Sequence, residues 1–117
     1  MPFHTLRLLT LLAGLLCLST LALAHAASTV TLKFDPETKL LTITAQHMVS
    51  NASTHYINKV EVFLNGKKII SQTMSSQTDK NVQQVQYIIN DAKAGAKIKA
   101  AATCNKYGTK TGEITVK

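Results

Sequence analysis

An all-β fold, a two-layer sandwich of about seven short strands, is what the sequence predicts. Three observations lead there. Apolar and polar residues alternate with period two over most of the chain after residue 29. Turn-forming clusters recur at a spacing of roughly ten residues. No stretch after that point carries a helical period.

The elements follow in order. Val30, Leu32 and Phe34 alternate with Thr31 and Lys33, and Asp35-Pro36-Glu37-Thr38 is a turn. Leu41 and Ile43 alternate with Thr42 and Thr44, and a polar stretch runs from Gln46 to Thr54. "HYINKVEVFLNGKKIISQTM" reads as two strands joined at Asn65-Gly66, the dipeptide that suits tight hairpin turns. "SSQTDKN" is a loop, "VQQVQYII" a strand and "NDAKAG" a turn. "AKIKAAATC" is a strand that ends at Cys104, "NKYGTKTG" a loop with two glycines, and "EITV" the last strand. The chain has no tryptophan. The disulfide-and-tryptophan core of antibody domains is therefore absent, while an immunoglobulin-like sandwich without it is allowed.

The front of the chain reads differently. "MPFHTLRLLTLLAGLLCLSTLALAHA" places His4 and Arg7 before an apolar run from Leu8 to Leu23. Ala22-Leu23-Ala24 and Ala24-His25-Ala26 both fit a small-residue cleavage site. Residues 1–26 are expected to be a secretory signal peptide, and residues 27–117 one domain, periplasmic or secreted. The apolar run is short for a membrane span, so no stable membrane insertion is expected after cleavage.

Residues 27–117 hold 12 lysines, no arginine and 6 acids, which leaves a formal charge of 12 − 6 = +6. A basic surface attracts anions. Export and the lack of arginine, the usual phosphate and base reader, argue against nucleic acid as the partner. A small anion remains compatible. No glycine-rich phosphate loop, no G-x-S-x-G and no carboxylate pair is present. Asn51-Ala52-Ser53 fits a glycosylation sequon, a pattern common by chance.

Cys17 belongs to the expected signal peptide, so Cys104 is the one cysteine of the mature domain. An unpaired cysteine in an exported protein indicates a partner chain, a reactive thiol or a metal ligand, unless it is an inert core residue. His47 and His55 flank the long polar stretch. Two imidazoles and a thiolate suit iron, copper or zinc, whereas calcium and magnesium want oxygen ligands. Spacing alone does not bring the three together.

"LTITAQHMVSNASTHYINKVEVFLNGKKI", followed later by "DAKAGAKIKAAATCNKYG", resembles the iron-binding domain of the desulfoferrodoxin and neelaredoxin family, the superoxide reductases. The similarity spans about Leu40 to Gly108, and its specific parts are His55-Tyr56-Ile57 and Cys104-Asn105 with Gly108. It implies an immunoglobulin-like sandwich, in agreement with the strands read above. It implies an iron cofactor held by equatorial histidines and one axial thiolate. It also implies one-electron reduction of superoxide to hydrogen peroxide, with an electron donor still to be named. By position, His47 and His55 match two equatorial ligands and Cys104 the axial one. The pattern also departs from the family. Tyr107 stands where the family has its last histidine, and is a further candidate ligand through its phenolate. The family's early histidine has no match in "STVTLKFDPETK", the stretch between His47 and His55 is longer, and Met48 replaces a common proline. His25 can supply an imidazole or a terminal amine if cleavage follows Ala24. Two alternatives stand beside the iron reading. One is a metal-free binding module that kept the sandwich. The other is a copper-binding protein that uses His25 with His47, His55 or Cys104.

Overall fold

A computed structural model describes residues 25–117, and the expected signal peptide falls almost wholly outside them. The described residues form seven strands: β1 (Thr29–Asp35), β2 (Leu40–Gln46), β3 (Ile57–Leu64), β4 (Lys67–Thr73), β5 (Val82–Ile88), β6 (Lys97–Cys104) and β7 (Thr109–Thr115). They build two antiparallel sheets, ordered β1-β2-β5 and β4-β3-β6-β7. The sandwich expected from the alternation is the fold observed.

Local chemistry sets the turns. Asp35 Oδ1 accepts the N–H groups of Glu37 and Thr38 and closes the β1–β2 turn. Those bonds, the Glu37 one first, hold the Asp35 carboxyl below its ordinary range. Asn65 and Gly66 take φ of 50° and 84°, both in the left-handed region that a tight β3–β4 hairpin requires.

The core comes from period-two rows. Leu41, Ile43 and Ala45 of β2 in one sheet share a core with Val60 and Val62 of β3 and Ile98, Ala100 and Ala102 of β6 in the other. In β3 the buried residues are Ile57, Val60 and Val62, so the alternation slips once. A bulge in the β3–β6 register between Ile57 and Lys59 accounts for the slip. It marks the end of the sandwich at which His55 and Cys104 lie.

One boundary differs from the sequence reading. Thr109–Gly112 was expected in a loop but belongs to β7. Gly112 is not there to turn the chain. A Cβ at this position would collide with the carbonyl of Val30 in β1. The glycine lets β7 of one sheet pass close to β1 of the other.

Candidate metal centre

The inward row of β2 does not stop with the strand. Counting on from Leu41, Ile43 and Ala45, the next inward position is His47, which is 0% exposed. The inward row of β6, Ile98, Ala100 and Ala102, ends likewise on Cys104, 4% exposed. The two sheets therefore deliver an imidazole and a thiol to the same end of the core. His55 arrives from the loop before β3. Ligand atoms of His47, His55 and Cys104 all lie within 4.8 Å of one another.

Backbone clamps hold the loop segments. The carbonyl of Asn51 accepts the N–H of His55 at 3.0 Å, and the Asn51 side chain accepts the N–H of Ser53 at 2.9 Å. Asn105 fastens this loop to the end of β6. Its Oδ1 accepts the Tyr56 N–H at 3.0 Å, its Nδ2 donates to the Thr54 carbonyl at 3.0 Å, and its N–H donates to the Tyr56 carbonyl at 2.9 Å. His55-Tyr56 and Cys104-Asn105 are thus locked to each other, which gives these two short motifs a physical reason to occur together. Gly108, at φ 73°, lets its carbonyl accept the Cys104 N–H at 3.0 Å. The Lys106 N–H points at Cys104 Sγ, 3.4 Å away. Such a bond tempers the electron donation of a thiolate ligand.

Gln77 was not legible as a site residue. Its Nε2 donates to the carbonyls of His47 and Asp79 at 2.7 and 3.0 Å, so its Oε1 faces the other way as an acceptor. Oε1 takes the Ile57 N–H at 3.1 Å and His47 Nδ1–H at 2.8 Å. The proton of a neutral His47 is thereby placed on Nδ1, and the Nε2 lone pair is left for a ligand. Nε2 lies 2.8 Å from the carbonyl oxygen of His25. A neutral ring has no second proton for that contact. A metal bound at Nε2 would have to displace that carbonyl.

His25 supplies a third imidazole. Its ring centroid is 5.1 Å from that of His47 and 5.7 Å from that of His55, and His47 and His55 are 4.8 Å apart, all edge to face. A shallow cavity lined by His25, Met48, Val49, Ser50 and His55 opens this cluster to solvent. Tyr107, by contrast, is 66% exposed, and the described contacts give it no place in the cluster.

The donor set fits a transition metal. Imidazole and thiolate are the ligands that iron, copper and zinc share. His55 Nε2 is buried with no hydrogen-bond partner among the described residues, a state proteins rarely leave a polar atom in. Burial first, then the charges of His47, His25 and Lys106, hold the His55 imidazole below its ordinary pKa. It is thus kept neutral, the form that ligates. Compared with known proteins, the chain matches no family model and no curated protein.

Proposed function

We propose that this is an exported mononuclear transition-metal protein, with iron as the metal and superoxide reduction as the chemistry. The observation that carries the metal reading is the convergence of His47 and His55, from the two ends of one loop, with the distant Cys104, all soft or borderline donors, within 4.8 Å. The resemblance to the superoxide reductases names iron and the substrate, and the leader expected in residues 1–26 names the compartment.

Bound iron would supply the electron, and solvent the two protons, that turn superoxide into hydrogen peroxide. The residues do the rest. His47, oriented by Gln77, and His55, kept neutral by burial, bind through nitrogen. Cys104 binds through sulfur, and its Lys106 N–H contact moderates how strongly that sulfur donates. The positive charge of Lys106 and the absence of a nearby carboxylate from the cavity lining favour approach of a small anion. The cavity beside His25 and His55 gives that anion a way in.

Anaerobic loading with Fe(II), followed by oxidation, tests this reading. One iron per chain is expected, with a visible sulfur-to-iron band that Cys104→Ala lacks. A protein that takes up no iron, or a band that survives in Cys104→Ala, overturns it. A second reading, copper, is favoured by one feature. The Met48 thioether, a soft donor, stands at the cavity rim beside His25 and His55. Competition between Cu(I) and Fe(II) for the same chain separates the two.

A further inference from the structure

We propose that export processing cuts between Ala24 and His25, and that the α-amine and imidazole of the new first residue act together as a chelating pair at this site. The inference rests on the metal reading above, but it adds a donor that exists only after processing.

The packing of the first described residues distinguishes the two cleavage sites in the sequence. Ala27 is 3% exposed and belongs to the hydrophobic core. A cut after Ala26 would place a charged ammonium on that residue, a poor outcome for an apolar setting. The N–H of the next residue, Ser28, donates to the Gln46 carbonyl at 2.8 Å. Ala26 lies against Gly108, where an added Cβ would come within 3.2 Å of its own Cβ. Counting back from buried Ala27, Ala26 is half-buried and His25 is the first exposed residue. A chain that starts there keeps every one of these contacts.

His25 is also where a new amine would be useful. Its ring already stands edge-on to His47 and His55, and its carbonyl lies on His47 Nε2. In a histidine that begins a chain, the α-amine and Nδ1 can close a chelate ring on one metal. Nδ1 of His25 now meets the Ala26 carbonyl at 2.9 Å, an exposed contact that the ring gives up by turning. The His25 carbonyl is a backbone group and does not move with the ring; a metal bound at His47 Nε2 would have to displace it. The turn of the ring would free Nδ1, and processing would set the amine beside it.

This makes the full donor set, and the tighter binding it gives, conditional on export. The uncut chain carries an amide at His25 rather than an amine, so it lacks one nitrogen donor. Intact mass of the protein secreted from the full chain, together with Co(II) titration under anaerobic conditions, tests the proposal. The expected mass begins at His25. Restoring Ala24 in front of His25 should weaken Co(II) binding at least roughly tenfold and shift its visible bands, with the melting temperature unchanged. A mass beginning at Ala27, or equal Co(II) affinity and spectra for the two forms, overturns it. Cys104→Ala separates the two layers of the argument. If that variant loses the sulfur-to-cobalt band while the Ala24 extension changes nothing, the site stands and the chelate falls. If neither form binds Co(II), both fall.

Discussion

β3 and β6 run side by side through the core, and their two ends have opposite characters. At one end Ile57 pairs with Cys104, and at the other Leu64 pairs with Ile98. The Ile57 end gathers three imidazoles, a thiol and a buried amide, held by side chains that cross between loops. The Leu64 end also has a cavity, lined by Phe63, Asn65, Gly66, Lys97, Lys99 and Glu113. There Lys99 lies over the Phe63 ring at 4.6 Å, and Asn65 Oδ1 accepts the Lys97 N–H at 2.9 Å. These are the ordinary means of finishing a hairpin. The difference is in what is buried. The hairpin end leaves its charges in water, whereas the histidine end places polar groups in the core and satisfies them by hydrogen bonds, with His55 Nε2 left over. Concavity alone would not tell the two ends apart.

Gln77→Leu should separate them most. It leaves His47 Nδ1–H, the His47 carbonyl and the Ile57 N–H without their partner. We expect a loss of about 3 kcal/mol in urea unfolding and a roughly 10- to 100-fold loss of metal affinity. If metal binding were unaffected, the orienting role of Gln77 would be lost. Asn105→Ala comes next, since it removes the two side-chain bonds that fasten the His55 loop to β6. It should cost about 2 kcal/mol and lower metal affinity as well.

A pH series on the metal-free protein probes the same end without mutation. The folded state holds the His55 pKa down, chiefly by burial. The unfolded chain then binds the proton first as the solution is acidified. His55 therefore costs nothing above its unfolded value of about 6.5, and stability falls as the pH drops below that toward the lowered folded value. His55→Gln should flatten this dependence. An unchanged slope would mean that His55 is not held neutral.

The hairpin end should answer only in stability. Gly66→Ala places a side chain at φ 84° and should cost about 1 kcal/mol with no change in metal affinity. Lys99→Ala should cost about 0.5 kcal/mol, again without a metal effect. A metal effect from either variant would show that the two ends are not independent.

Period-two alternation made the fold legible, because the strands turn one row of apolar residues toward the core, fully buried in β2, β3 and β6 and only partly in β4 and β7. Gly112 shows its limit. A glycine read as a loop signal serves instead as a crossing point between sheets, a contact that depends on the partner strand. His47 and Cys104 were legible as candidates, and extending the inward rows by one step would have placed both in the core. His55 was legible through its motif. Gln77 was not, because nothing local distinguishes a loop glutamine that folds inward from one that does not. Tyr107 was a reasonable candidate from its place after Cys104, yet its ring is largely in solvent. The role of Asn105 followed only from the loops it joins.

X-ray absorption at the iron edge of the loaded protein tests the central claim most directly. One sulfur scatterer with imidazole shells is expected, and Cys104→Ala should lose the sulfur alone. A first shell of oxygen and nitrogen only, the same in the protein and in Cys104→Ala, would contradict a metal site built on His47, His55 and Cys104.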